Sequence, residues 1–199
     1  MSIGVLGGTF DPIHVGHLAA ASAALDCAHL DRVLFVPSAS PPHRPPAVAP
    51  AEHRLAMCEL AIEGEPRFEV SEVETRRGGP SYTVDTLLEL HRLHPDGEMF
   101  LILGWDAAKL FRSWREPDRV AALATLIIVA RPRIQPPEAP ELRAAGIDPA
   151  RAVLCLRPTP DVSASSLRRA IAAGESIDGK VPPAVASYIA VHHLYADVR

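Results

Sequence analysis

Short apolar runs rich in strand-forming residues recur along the chain at Ile3 to Leu6, Val33 to Val36, Phe68 to Val73, Met99 to Leu103, Thr125 to Ala130 and Val153 to Leu156. Most are nearly continuous rather than alternating, the pattern of strands covered on both faces. Between them apolar residues fall at helical spacing, as at Leu18, Ala21 and Leu25, at Leu55, Cys58 and Ile62, and at Leu87, Leu90 and Leu93. Strand alternating with helix predicts an α/β fold: a doubly wound, mostly parallel sheet with right-handed crossovers and helices on both faces. The 199 residues, 48% of them hydrophobic, suffice for one core. We read 1–199 as a single domain, with residues 159–199 as its C-terminal helical part. Prolines gather between the elements, in 41-PPHRPP-46, 132-PRIQPPEAP-140 and 182-PP-183, and mark loops.

In an open parallel sheet, ligands bind beyond the carboxyl ends of the strands. The segments expected there are Gly7 to His17, Ser38 to Arg44, Gly104 to Asp106 and Thr159 to Arg168. The first, within 4-GVLGGTFDPIHVGH-17, runs a strand into Gly7 and Gly8 and then into a helix start that carries His14 and His17 around Gly16. It matches neither GxGxxG nor GxxxxGK[ST]. Asp11 and Pro12 suit a turn into that helix. At this spacing the two imidazoles share one face of the first turn, beside unpaired N–H groups and the positive end of the helix dipole, where an anion is stabilised. The chemistry favoured is charge stabilisation on a phosphate undergoing displacement.

The last segment, 163-SASSLRR-169, reads as a helix capped by Ser163, with Ser165 and Ser166 in its first turn, an inward face of Leu167, Ala170 and Ile171, and Arg168 near the positive helix end. A guanidinium there suits phosphate oxygens, through charge-assisted hydrogen bonds. Ser81 reads as the N-cap of a helix over Thr83 to Leu93. Two readings stand for Trp114, core aromatic or stacking plate, and two for the stiff loop around Arg44, solvated or phosphate-reaching. Arg76 and Arg77 read as turn or surface charges. His91 with His94, and His192 with His193, lack the carboxylate or thiol partners of a metal site.

GGTFDPIHVGH resembles the first signature of the HxGH nucleotidyltransferase superfamily, whose Rossmann-like fold is the one expected here. VPSASPPHR (36–44), SYTVDTL (81–87), GWD (104–106) with a following Ser113-Trp114, and SASSLRR (163–169) are similar to motifs of the bacterial nicotinate mononucleotide adenylyltransferase family, in family order. The resemblance implies transfer of AMP from ATP to nicotinate mononucleotide, giving nicotinate adenine dinucleotide and pyrophosphate in NAD biosynthesis, with Mg²⁺ carried by ATP and no metal held by the protein itself. It implies His14, His17 and Arg168 as catalytic. It places ATP on Gly7, Gly8, Thr9, Phe10, His14, Gly16, His17, Gly104, Asp106, Ser163, Ser165 and Arg168, and the mononucleotide on Thr9, Ser38, Arg44, Tyr82, Thr83 and Trp114. The sequence departs from the family at Trp105, where a small or polar residue is common, at Ser165 for threonine and at Leu167 for isoleucine. The same superfamily also admits other acceptors, nicotinamide mononucleotide or phosphopantetheine, and a non-catalytic ATP sensor is the alternative outside enzymes.

A net charge of −4 and a pI near 6.1 give no global attraction to a polyanion, so nucleic acid is not the expected partner. Cys27, Cys58 and Cys155 lie far apart and read as small buried hydrophobes of a reducing compartment, without a disulfide. No run of 18 apolar residues occurs, so no membrane partner is expected and the location expected is cytoplasmic, while a homo-oligomer is left open by the sequence.

Overall fold

The computed structural model describes residues 1–41, 45–130 and 135–196. Its strands are β1 (Ser2–Gly8), β2 (Arg32–Pro37), β3 (Phe68–Val70), β4 (Glu98–Gly104), β5 (Thr125–Val129) and β6 (Ala152–Cys155). Every pairing is parallel, and the order is β3-β2-β1-β4-β5-β6. The sheet winds outward in both directions from β1 and β4, so a crevice opens between their carboxyl ends.

Along each strand, successive side chains enter opposite layers. Val33, Phe35, Ile102, Ile127 and Val129 join one core, and Leu34, Val36, Leu101, Leu103, Leu126 and Ile128 join the other. The first is closed by α1 (Val15–Cys27), α2 (Ala51–Ile62), α8 (Ala164–Ala172) and α9 (Pro183–Val191); the second by α3 (Val73–Arg77), α4 (Thr83–Leu93), α5 (Trp105–Ala108), α6 (Pro117–Leu123) and α7 (Ala139–Ala144). Burial on both faces is why the strands read as continuous apolar runs.

Three expectations need correction. The run Phe68 to Val73 is strand only to Val70, and Val73 turns inward to open α3 instead. Arg76 and Arg77 therefore lie on a helix, where Arg77 donates to Glu89 and Thr86. The proline-rich segment ending at Pro140 is not all loop, because Ala139 and Pro140 form the first turn of α7, and Pro183 likewise opens α9. A first turn has no earlier carbonyl for the missing N–H to bond, so proline is tolerated there. Finally, Cys27 and Cys155 form a disulfide, with Cα atoms 5.8 Å apart. They are separated by 128 residues and meet only because the C-terminal end of α1 packs on β6, which local spacing does not reveal. Cys58 alone keeps the expected form, a buried thiol whose pKa burial pushes up. The pairing removes the cysteine argument for a reducing compartment.

Candidate active site

The carboxyl ends of β1 and β4 bound two adjoining cavities of about 250 and 490 Å³. Gly7, Gly8, Thr9, Leu103, Asp106 and Ala107 line both. This shared wall is where β1 and β4 release the chain, so the sheet topology itself places two cavities side by side.

The larger cavity is built on the entry to α1. His14 is the helix N-cap and His17 sits in its first turn; the rings stack with centroids 3.7 Å apart and planes 24° apart. The His14 N–H donates to His17 Nδ1 at 3.2 Å, which fixes the His17 ring. Phe10, nearly fully buried, packs edge-on against His17 at 5.0 Å and also meets Phe35. Glycine keeps clearance beside the Phe10 and His14 rings. A Cβ at Gly8 would lie 2.9 Å from the Phe10 ring, and one at Gly16 would lie 3.0 Å from the His14 ring. The expectation of unpaired N–H groups in this turn is corrected in part, because the Val15 N–H donates to the Lys180 carbonyl and the His17 N–H to that of His14.

Opposite α1 stands α8. Ser163 caps it as expected, its Oγ accepting from the Ser166 N–H at 3.2 Å, and Ser165 Oγ lies 3.3 Å from Ser163 Oγ. Arg168 crosses to the first motif and donates from Nη1 to the Asp11 carbonyl at 2.6 Å. Its Nε is buried without a hydrogen-bond partner among the described residues. Every residue assigned by sequence to ATP lines this larger cavity.

The smaller cavity is bounded by β2, α4 and the turn after α5. Ser38, Tyr82, Thr83 and Trp114 line it with Thr9, whereas Arg44 lies outside the described residues. Ser38 Oγ is buried and lacks a partner among the described residues. Thr83 opens α4, where the first N–H groups of a helix find no carbonyl one turn earlier. Trp114 is only partly buried and leans on Phe111 at 5.5 Å, so it serves both as core edge and as cavity wall. Trp105 turns away into the core at 3% exposure and does not shape either cavity. Ser81 does not cap α4; its Oγ accepts from the Ala39 and Ser40 N–H groups and pins the loop after β2 to the loop before α4.

Sequence reasoning missed several residues here. Arg115 lies over the Tyr82 ring, 4.7 Å from its centroid, at the edge of the smaller cavity. Buried Glu74 accepts from Thr86 Oγ1 at 2.6 Å and braces α3 against α4. Asp11, read as a turn residue, is 4% exposed and lines the larger cavity. Its place in the first motif was the one available signal; Glu74 and Arg115 gave none.

Fold and site together are those of a nucleotidyltransferase, an α/β protein with two adjoining ligand cavities over a histidine-bearing helix start. Residues 5–170 match the cytidylyltransferase-like family. The chain is 48% identical over 195 residues to a probable nicotinate-nucleotide adenylyltransferase of Thermus thermophilus, covering 98% of this chain and 100% of the relative. It is 43% identical to a probable nicotinate-nucleotide adenylyltransferase of Thermomicrobium roseum, covering 99% of this chain and 92% of that one. In three dimensions it resembles the Plasmodium falciparum nicotinic acid mononucleotide adenylyltransferase complexed with NaAD, with a TM-score of 0.79 at 20% identity over 98% of this chain and 97% of that one. The chain belongs to the cytidylyltransferase-like family, among the nicotinate-nucleotide adenylyltransferases.

Proposed function

We propose that the protein transfers AMP from ATP to nicotinate mononucleotide. The observation that carries this reading is the pair of cavities sharing Gly7 to Thr9 and Asp106, which lets two nucleotides meet at one phosphate. The names of its relatives agree with it.

ATP occupies the larger cavity, with its α-phosphate over the α1 N-terminus. A 5′-phosphate oxygen of the mononucleotide attacks that phosphorus in line. One P–O bond forms, the bond to the bridging oxygen breaks, and pyrophosphate leaves; the nucleophile is already ionised, so no general base is needed. Catalysis is positioning plus electrostatics. The stacked His14 and His17 take the developing charge, while Ser163, Ser165 and Arg168 hold the departing phosphates. Mg²⁺ would be carried by the ATP phosphates and would supply neutralisation of their charge. The carboxylates of Asp106 and Asp161 on the cavity wall are hard oxygen groups that fit its water shell. The pyridine ring stacks on Trp114. The N-terminus of α4 at Thr83 receives the nicotinate carboxylate and so favours the acid over the amide, and Ser38 and Tyr82 complete this pocket. Arg44, the basic residue of the 36–44 motif, is assigned to the mononucleotide phosphate on the resemblance alone. The reaction belongs in the cytoplasm.

Pyrophosphate release with ATP and Mg²⁺, compared for nicotinate mononucleotide and its amide, tests the reading. A kcat/KM at least about tenfold higher for the acid is expected, which is about 1.4 kcal/mol of discrimination. Equal rates overturn the assigned carboxylate contact, and no release with either overturns the acceptor.

A further inference from the structure

At the wall of the larger cavity, Arg168 joins a buried polar cluster whose other members the transfer chemistry does not itself use. The Asp11 carboxylate accepts from the Val48 N–H at 2.7 Å, the Ala49 N–H at 3.0 Å and the Tyr195 hydroxyl at 2.8 Å. Arg168 Nη1 stands 3.7 Å from the same carboxylate while donating to the Asp11 carbonyl. Arg54, 2% exposed in α2, donates to the carbonyls of Thr9 and Ala49. The Thr9–Asp11 backbone is therefore gripped by guanidiniums from α2 and α8, and its one carboxylate is gripped by the chain's C-terminal turn.

Tyr195 is an unusual group to find there. It follows α9, has φ +68 and is 4% exposed. A left-handed conformation in a bulky residue persists only where its surroundings enforce it. Burial first, and Asp11 second, push the phenol pKa up, so the hydroxyl remains a donor. A donor at this point orients the carboxylate that Arg168 faces.

We propose that Tyr195 is a positioning residue for nucleotidyl transfer: through Asp11 it sets the Arg168 guanidinium and the loop leading to His14, so that the C-terminal turn completes the ATP half of the site. This rests on the reading above for the role of Arg168, but not on the identity of the acceptor.

The test is a double-mutant cycle of Tyr195→Phe with Arg168→Ala, read as kcat for pyrophosphate release and as ATP affinity by titration calorimetry. Tyr195→Phe removes one hydroxyl and keeps the ring. In the wild-type background it is expected to lower kcat about 5- to 20-fold and to leave KM for the mononucleotide within about twofold, because the smaller cavity is untouched. In the Arg168→Ala background the same substitution is expected to change kcat by less than about twofold, since coupled residues fail to add. Equal fold losses in both backgrounds, or no loss in the first, overturn the proposal. Should Tyr195→Phe not fold, Asp11→Asn run through the same cycle tests the link through which Tyr195 acts, and equal fold losses in both backgrounds overturn the proposal. If the wild type releases no pyrophosphate with either mononucleotide, the acceptor reading has failed. The cycle in ATP affinity, with the same non-additivity expected, still decides the role of Tyr195.

Discussion

Gly16 is the residue at which sequence and geometry meet most directly. The string HVGH presents it as a spacer between histidines, whereas the structure makes it a clearance: a Cβ there would stand 3.0 Å from His14 Cε1 and Nδ1 and 3.5 Å from the Pro160 carbonyl. The His14 ring, stacked on His17 at 3.7 Å, has little room to give. Alanine is the better helix former by about 0.5–1 kcal/mol, so Gly16→Ala is expected to leave the thermal midpoint unchanged or slightly raised. A displacement of a few tenths of an ångström at a positioned group is nevertheless expected to lower kcat about tenfold. Steady-state kinetics beside a melting curve checks both, and a variant that melts earlier yet turns over normally refutes the argument. His14, His17 and Gly16 were legible because all three lie in one short string. Asp11 lies in the same string and was read only as a turn, since its partners Val48, Arg168 and Tyr195 lie 37 to 184 residues away.

Elements contribute by bringing such residues to a common edge. Ser81 shows how an element boundary misleads: a serine two residues before a helix is a plausible cap, but the backbone places Tyr82 at that position and turns Ser81 toward the loop after β2. At the opposite end of the sheet, His94 after α4 meets Arg32 of β2, which donates to its Nδ1 at 3.3 Å and also pairs with Glu69 of β3 at 2.8 Å. Burial and then the Arg32 charge lower the His94 pKa from 6.5, against a smaller opposing effect of Glu69. The unfolded chain therefore takes up this proton at higher pH than the folded one, and stability is lost as pH falls. This contribution is complete above about pH 6.5 and is lost as pH drops from there through the folded value. His94→Asn, which keeps an acceptor for Arg32 without the titration, is expected to weaken the dependence of the melting temperature on pH between about 7 and 5. An unchanged pH dependence would refute the assignment. His91, by contrast, donates to the Leu123 carbonyl, so the two histidines of this helix serve different neighbours.

At the scale of the whole molecule, the Cys27–Cys155 bond joins the helix that starts at HVGH to the strand that leads toward SASSLRR. A covalent link across 128 residues reduces the freedom of the unfolded chain by about 4–5 kcal/mol in the loop-entropy treatment. Cys27→Ser is expected to lower the melting temperature by roughly 10 °C, and a thiol reductant should reproduce the shift in the wild type but not in the variant. Equal melting curves with and without reductant would overturn this. The parallel doubly wound sheet, the crevice at its carboxyl edge and the short strings that line it were determined by the sequence alone, because apolar period, strand–helix alternation and first-turn chemistry act over a few neighbouring residues. Only the tertiary structure decided the disulfide, the burial of Arg54 and Asp11, the inward turn of Trp105 and the reach of Tyr195 to Asp11. Each of these is a contact between groups far apart in the chain, and its strength depends on the desolvation and distance that packing alone sets.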